Sequence, residues 1–325
     1  MEETRKRKQN ETEFPKSLEI MVKSSKNPDY IIWNLSYIDE LILKIRNSTY
    51  NPLLFPTLEK LLVAPSTLKL TSGYKPMPGW PLTPQGLAEN QQKLNNAIIK
   101  SSHQTDLDQS INTKQWHTFD IMLSIEYLKT FQFYQLLTFN DQIVLAKHVT
   151  VIIQSMTFAF TSFQYNADCF KTPDGCFVDI RNTMNLFDFI TGGEMKKNNT
   201  ILRNHLKSSQ NVMGFLIREK LTNTEYILLK AIAICDPIFE LSEEGRKIVW
   251  ETRQTFSKTL FKYCETEYGK RNGPSRFATL LSYINLIIYH QKSLQKFLTI
   301  LKTHFVFKMP QAMFSLEDSV LNINN

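Results

Sequence analysis

Apolar residues recur at intervals of three and four along most of this chain, which is the spacing of a helix with one buried face. The pattern predicts a helix over 37–45 and a second, short one that carries Leu58, Leu61 and Leu62 and ends near Pro65. From about residue 114 the pattern becomes dense. There it predicts helices over 116–131, 139–163, 186–189, 201–221, 225–235, 242–268 and 274–307.

Local signals fix some of these boundaries. Ser242, followed by two glutamates, is typical of a helix N-terminus, because serine caps free N–H groups and acidic residues favour that end of a helix. Gly269 stands where a C′ glycine belongs, and Pro274 suits the first turn of the next helix. The turn sequence TPDG at 172–175, between aromatic and β-branched residues, predicts a small β-hairpin.

Composition favours an all-α protein. The 325 residues include only 10 Gly and 13 Pro, too few for the repeated turns of a many-stranded β fold, and 42% are hydrophobic. We expect a basic, disordered tail over 1–25 and one domain over 26–325. Within that domain we expect a first helix and a Pro/Gly-rich linker to about residue 113, a main helical core over 114–310 and a C-terminal segment over 311–325.

The net charge of +7 arises from 38 basic and 31 acidic side chains. Part of it is the run 5–8 (RKRK), which has two interpretations: a nuclear localisation signal or phosphate contact, or a solvated tail. The remaining basic residues are spread along the chain and form no dense stripe interleaved with aromatics. We therefore expect no direct DNA contact from this chain.

The sequence lacks the residues that several kinds of site chemistry require. The four cysteines include no Cys-x-x-Cys pair, so the chain holds no zinc finger, and we expect reduced thiols in an intracellular protein. The six histidines show no ligand spacing, and there is no phosphate-binding loop or serine nucleophile motif. These observations predict no metal, no cofactor and no enzyme. The uncharged stretch 149–167 carries too many polar residues for a membrane span, so we expect a buried core helix and no membrane contact.

The run LKTFQFYQLLTFNDQIVLAKH at 128–148 resembles the signature of the nuclear-receptor ligand-binding domain. That family shows a lysine ending its third helix, then an aromatic residue, a leucine and an Asp-Gln pair opening the next helix. The positions that match in type and spacing are Lys129, Tyr134, Leu137, Asp141 and Gln142.

Other segments extend the resemblance to roughly residues 30–310. The stretches 228–237, 245–269 and 276–287 look like the eighth, ninth and tenth helices of that family, and 37–68 is similar to its divergent nematode-type members. The resemblance implies an all-α, three-layer helical sandwich of about 10–12 helices with a small β-hairpin. It also implies a receptor domain without the zinc-finger DNA-binding domain in this chain.

The resemblance implies a groove for a coregulator helix, with apolar side chains along its floor and a cation at one end. Lys129 would bind the carbonyls at the C-terminus of the partner helix, where a cation is favoured; the alternative is a solvated helix-end lysine. The family places a glutamate at the opposite end. The predicted groove residues are Met122, Ile125, Lys129, Gln142, Ile143, Ala146 and Glu317.

The segment around Glu317 is a degraded form of the family's C-terminal activation helix, because polar residues follow the glutamate. This departure argues against a ligand-driven activation switch. It favours repression, constitutive behaviour or dependence on a heterodimer.

A ligand pocket is implied by the same resemblance. Thr161 stands where the family often has an arginine, so a buried ligand carboxylate would lack its cation, and a fatty acid held in that way is unsupported. The alternative is that these side chains, together with many of the 22 phenylalanines, fill the cavity as core. The predicted pocket residues are Phe119, Leu123, Met156, Phe160, Thr161, Cys169 and Phe177.

The resemblance therefore predicts a nuclear-receptor-type transcriptional regulator in the nucleus, with or without a cytoplasmic fraction. It would bind a small lipophilic ligand, coregulator peptides or both, and form a homo- or heterodimer with another nuclear receptor. The alternative function is a ligand-independent, dimerising or inhibitory interaction module with a filled pocket and no DNA binding of its own.

Overall fold

The computed structural model describes residues 27–52, 55–70, 73–77, 85, 114, 116–173, 199–305, 316 and 320. Within them lie eight α-helices of four or more residues and one 3₁₀ helix, Thr67–Leu70, so the all-α prediction is confirmed. The α-helices are α1 Pro28–Arg46, α2 Leu58–Val63, α3 Trp116–Lys129, α4 Gln132–Gln135, α5 Phe139–Gln164, α6 Asn199–Glu219, α7 Asn223–Ile234 and α8 Glu243–Phe305.

The boundaries of α3, α5, α6 and α7 lie within two residues of those predicted from periodicity. Side-chain caps explain why α5 and α7 begin where they do. The Thr138 hydroxyl accepts a hydrogen bond from the Asp141 backbone N–H at the start of α5. At the start of α7, Thr222 and Glu225 form a complete capping box.

The first helix begins nine residues earlier than predicted, at Pro28 instead of residue 37. Asn27 caps it by accepting a hydrogen bond from the Asp29 backbone N–H, and proline suits the first helical position. Tyr30 and Trp33, both large and apolar, point outward on the first turns, so the apolar periodicity is blurred there.

The break at Gly269 in α8 agrees with the sequence. Helical residues run from Glu243 to Phe305, but Gly269 has φ 77° and ψ 162°, which is non-helical and accessible mainly to glycine. Two helical halves therefore meet at Gly269. Pro274 is accommodated because it lies in the first turns of the second half.

Helix α5 is the central helix of the molecule, since it packs against α2, α3, α6, α7 and α8. In the described part of the chain it is the one helix long and apolar enough to span a membrane by length and composition, yet 72% of its apolar window is buried within the protein. This burial supports the interpretation of α5 as a core helix. The β-hairpin predicted around the turn 172–175 falls largely outside the described residues, which end at 173 in this region, and so does the helix predicted over 186–189.

Asp141 joins the start of α5 to the start of α8. Its carboxylate accepts hydrogen bonds from the Ser242 backbone N–H (2.8 Å), the Ser242 hydroxyl (2.6 Å) and the Thr138 hydroxyl (2.9 Å). Burial alone would raise the pKa of Asp141, but these hydrogen bonds more than offset it and the pKa lies below its ordinary value. Ser242 in turn caps α8 at the Gly245 backbone N–H, as predicted.

The close packing at this junction predicts that Gly245→Ala destabilises the protein by roughly 1–3 kcal/mol. An added Cβ would lie 2.8 Å from the Asp141 Oδ2 atom, so the carboxylate must move. Gly214→Ala is the matched control, because its Cβ would meet nothing within 4 Å in the interior of α6. We expect this control to stabilise by roughly 0.5–1 kcal/mol. Urea unfolding measures both, and equal effects at the two glycines would contradict the account.

Candidate functional site

The structure brings most of the predicted groove residues together on α3 and α5. Met122, Ile125 and Ala146 are buried in one apolar cluster, and Ile143 packs against it partly buried. The Gln142 side-chain amide donates to the Tyr134 carbonyl at 3.0 Å, so it braces the turn between α4 and α5. These residues form an apolar face where α3 ends and α5 begins.

The C-terminal end of the chain also reaches the core. Leu316 and Val320 are helical and buried in the main apolar cluster, one turn apart. Glu317, the predicted far end of the groove, lies outside the described residues.

Lys129 binds the C-terminal end of a helix that belongs to this same chain. Its Nζ donates to the carbonyls of Leu61 and Ala64, both at 2.8 Å, and to the Glu126 Oε1 atom at 2.9 Å. The side chain is only 9% exposed, so this lysine is not a solvated one. Lys129 therefore caps α2 of this chain, and its contact with a partner helix stays a prediction.

Helix α2 buries two leucines against the protein and leaves polar side chains in solvent. Leu58 and Leu61 are buried in the same cluster as the groove residues, and α2 packs against both α3 and α5. Glu59 and Lys60 are exposed. The sequence signal for this arrangement was the i, i+3, i+4 spacing of Leu58, Leu61 and Leu62, which predicted the helix but not its position.

Glu126 secures the segment that follows α2. Its fully buried carboxylate accepts hydrogen bonds from the Ser66 hydroxyl (2.6 Å) and the Thr67 backbone N–H (2.9 Å), and its other oxygen binds Lys129. One carboxylate thus holds the N-terminal end of the 3₁₀ helix and orients the lysine that holds α2. Sequence reasoning missed Glu126, although it lies one turn before Lys129.

Five of the seven predicted pocket residues are buried side chains in the described part of the chain. Phe160 stacks on Tyr226 with ring centroids 3.9 Å apart and an interplanar angle of 6°, and Phe119 packs edge-on against Trp116. Phe177 lies outside the described residues, and Cys169 is half-buried. The pocket residues that are fully buried are Phe119, Leu123, Met156, Phe160 and Thr161.

A cation from another helix stands beside Thr161, although α5 itself carries no arginine at this position. Arg46 reaches it from α1, with Nη1 3.5 Å from the Thr161 hydroxyl. The guanidinium makes a bidentate pair with Asp120, at 2.8 Å on each side. Burial alone would lower the pKa of Arg46, but the Asp120 charge more than offsets it, so the pKa is raised. The cation is committed to Asp120 and is therefore not a free anchor for a ligand carboxylate.

A second buried ion pair lies nearby, between Lys230 of α7 and Asp39 of α1. The Lys230 ammonium also donates to the Tyr226 hydroxyl at 3.1 Å and lies 4.2 Å from the centroid of the Tyr127 ring. Its side chain is fully buried, so every one of these contacts offsets the cost of removing the charge from water.

The cavity between the two ion pairs has a volume of about 10 Å³. Arg46, Asp120, Leu123 and Lys230 are among the side chains that line it. That volume holds about one water molecule, whereas pockets for drug-sized ligands span roughly 300–1,000 Å³. The interior that the described residues enclose at this position is therefore filled by charged and aromatic side chains.

Two of the histidines that looked isolated in the sequence meet in the core. The rings of His205 and His290 stack with centroids 5.1 Å apart, and His290 Nδ1 lies 2.9 Å from the Ser208 hydroxyl. Burial lowers the pKa of His205 to about 4 and that of His290 to about 3, so both are neutral at pH 7. Within the described ranges, no group of three or more His, Cys, Asp or Glu side chains is placed to hold a metal ion.

The all-helical fold agrees with the family that the sequence signature around Lys129 resembles. The family model described as the ligand-binding domain of nuclear hormone receptor matches residues 101–304. The chain therefore belongs to the nuclear hormone receptor family through its ligand-binding domain.

Relatives from Caenorhabditis elegans support the same family membership. The chain is 29% identical over 280 residues to nuclear hormone receptor family member nhr-60, covering 85% of this chain and 58% of that protein. It is 31% identical over 196 residues to family member nhr-153, covering 60% of this chain and 44% of that protein. The chain thus spans about half the length of these curated relatives.

The burial of the Arg46–Asp120 pair leads to a prediction about the free energy of unfolding. Arg46→Met leaves the Asp120 carboxylate buried without its cation, so we expect a loss of about 3–5 kcal/mol in the free energy of unfolding. The double variant Arg46→Met/Asp120→Leu removes both charges and should recover most of that loss. Urea unfolding at pH 7 measures all three proteins. A double variant no more stable than Arg46→Met would show that the ion pair is not the source of the effect.

Proposed function

We propose that this chain is a nuclear-receptor-type transcriptional regulator that acts in the nucleus by binding a leucine-rich coregulator helix in the groove between α3 and α5. The observation that carries this proposal is the contact of Lys129 with the C-terminal carbonyls of a leucine-bearing helix. The site already holds a helix with the chemistry that a coregulator would present, so a partner helix of the same kind fits the same apolar face.

The binding free energy of such a complex comes mainly from the leucine side chains of the bound helix. Each leucine side chain removed from water contributes roughly 1.5–3 kcal/mol, whereas a cation at a helix C-terminus contributes roughly 0.3–1 kcal/mol. Lys129 therefore acts chiefly to orient the bound helix, and the apolar floor around Met122, Ile125 and Ala146 provides the affinity.

The small cavity between the ion pairs favours action without a ligand over control by a lipophilic ligand. A lipid-sized molecule would need a cavity more than tenfold larger than the 10 Å³ between the ion pairs, and would have to separate Arg46 from Asp120 or Lys230 from Asp39. Separating either pair leaves an unpaired buried charge, which is costly. Dimerisation with a second receptor stays a prediction of the family resemblance.

The groove can be tested with the full chain fused to a heterologous DNA-binding domain at a reporter gene. We expect the fusion to change transcription in either direction, and Lys129→Ala to reduce that change about two- to fivefold, because a cation at a helix C-terminus contributes roughly 0.3–1 kcal/mol. The matched control is Lys262→Ala, an exposed lysine on α8, which should leave the reporter signal unchanged. A fully active Lys129→Ala protein, present at wild-type abundance, would overturn the groove as the recruiting site.

Bound lipid provides a separate test of ligand independence. Native mass spectrometry of protein purified from a cellular source should give the mass of the chain without a stoichiometric small molecule, because the interior between the ion pairs is filled. The melting temperature should not rise across a panel of fatty acids and sterols. A stoichiometric lipid with a matching rise in melting temperature would restore ligand control.

A further inference from the structure

We propose that α2 is an internal competitor for the coregulator groove, so that a coregulator helix binds only when Leu58–Val63 leaves the face of α3 and α5. This inference rests on the proposed function, because it concerns how the same groove is regulated. It identifies the chain's own segment as the occupant that holds the groove closed.

The leucines of α2 have the arrangement that the groove selects. Leu58, Leu61 and Leu62 follow the i, i+3, i+4 spacing of one helix face. Leu58 is fully buried and Leu61 is 4% exposed, while Val63 on the other side of the helix is 72% exposed. The helix therefore packs as a docked amphipathic peptide does, with one face on the protein and one in solvent.

The lysine at the end of the groove cannot bind two helices at once. A lysine ammonium has three N–H donors. Those of Lys129 are directed to Leu61 O, Ala64 O and Glu126 Oε1, at 2.8–2.9 Å. No donor is left for the carbonyls of a second helix, so binding of α2 and binding of a partner helix are mutually exclusive.

Covalent connection gives α2 an advantage over any free peptide. Helix α1 is fixed by the two buried ion pairs, and the short stretch 47–57 links it to α2. A segment tethered over so short a distance has an effective concentration on the order of millimolar. Glu126 adds a second attachment through Ser66 and Thr67, on the other side of α2.

Helix α2 can nevertheless be displaced without unfolding the domain. It has six residues, and Thr57 at its N-cap makes no side-chain capping hydrogen bond. A helix this short is not stable alone in water, so α2 is helical because the groove holds it. Release of α2 therefore melts a small surface segment, and the groove floor on α3 and α5 keeps its own helices.

The test measures binding of one probe to the full chain by fluorescence anisotropy. The probe is a fluorescent peptide with the sequence of residues 55–66 (FPTLEKLLVAPS), and the control peptide replaces both of its buried leucines by alanine. The released variant of the chain is Leu58→Ala/Leu61→Ala, which weakens docking of α2 but leaves α3 and α5 unchanged. We expect it to bind the probe at least about tenfold more tightly than the wild-type chain, because apparent affinity scales with the fraction of open groove.

Two further variants make the outcomes distinct. Val63→Ala, on the exposed side of α2, is the matched control and should bind the probe as the wild-type chain does. Adding Lys129→Ala to the released variant should lower its affinity for the probe about two- to fivefold, which is the contribution of a cation at a helix C-terminus. Circular dichroism melting verifies that each variant is folded. Ser66→Ala removes one hydrogen bond to Glu126 and so weakens the attachment of α2 less than the double variant does. We expect it to raise the affinity for the probe by a smaller factor.

The two proposals fail in different ways. If the wild-type and released chains bind the probe equally, and Lys129→Ala weakens binding to both, the groove binds leucine helices but α2 does not close it, and this inference is overturned. If no folded variant binds the probe above the control peptide, the groove itself does not bind such helices, and the proposed function fails together with the inference.

Discussion

Two buried ion pairs on α1 determine the rest of this architecture. Asp39 and Arg46 lie two helical turns apart on the buried side of α1, where they pair with Lys230 of α7 and Asp120 of α3. A charge this deeply buried is tolerated only when it is paired and hydrogen-bonded, so α1 has one acceptable position relative to those helices. Three of these side chains, Arg46, Asp120 and Lys230, also line a cavity of only about 10 Å³.

Fixing α1 also sets where the following segment can go. The chain leaves Arg46, and the Tyr50 ring packs against Tyr74 and Phe119 before α2 reaches the groove. There Lys129 and Glu126 bind the two ends of the segment from α2 to the 3₁₀ helix. The interior and the surface groove are thus connected through α1: the charges that fill the interior also hold the helix that covers the groove. On this account regulation lies at the surface, in the competition between α2 and a partner helix, and does not need a ligand.

Much of this could be predicted from the sequence, because local rules decide it. Apolar periodicity and capping residues located α3, α5, α6 and α7 to within two residues, and Gly269 marked the break in α8. The signature around Lys129 also identified the chemistry of that side chain, a cation placed to bind helix carbonyls. These features depend on residues a few positions apart, which is the range over which sequence patterns are informative.

The remaining features depend on contacts between distant residues. Lys129 and Leu61 are 68 positions apart, and Arg46 and Thr161 are 115 positions apart. No local pattern shows that the arginine missing from α5 is supplied by α1, or that the helix capped by Lys129 is the chain's own. The early start of α1 was missed for a different reason, since exposed aromatic side chains such as Trp33 disturb the apolar pattern.

Hydrogen exchange on the wild-type full chain tests the central claim most directly. The experiment uses an isotope-labelled chain and an unlabelled peptide of residues 55–66 at saturation. Two backbone amides of α2 donate within the helix, Leu61 N–H to the Thr57 carbonyl and Ala64 N–H to the Lys60 carbonyl. Their exchange is followed as the peptide binds. The account predicts that these amides are protected in the free chain and lose protection when the peptide occupies the groove, while amides of α7 keep theirs. Amides of α2 that stay protected while the peptide is bound would contradict it, because both helices would then be held at the same time.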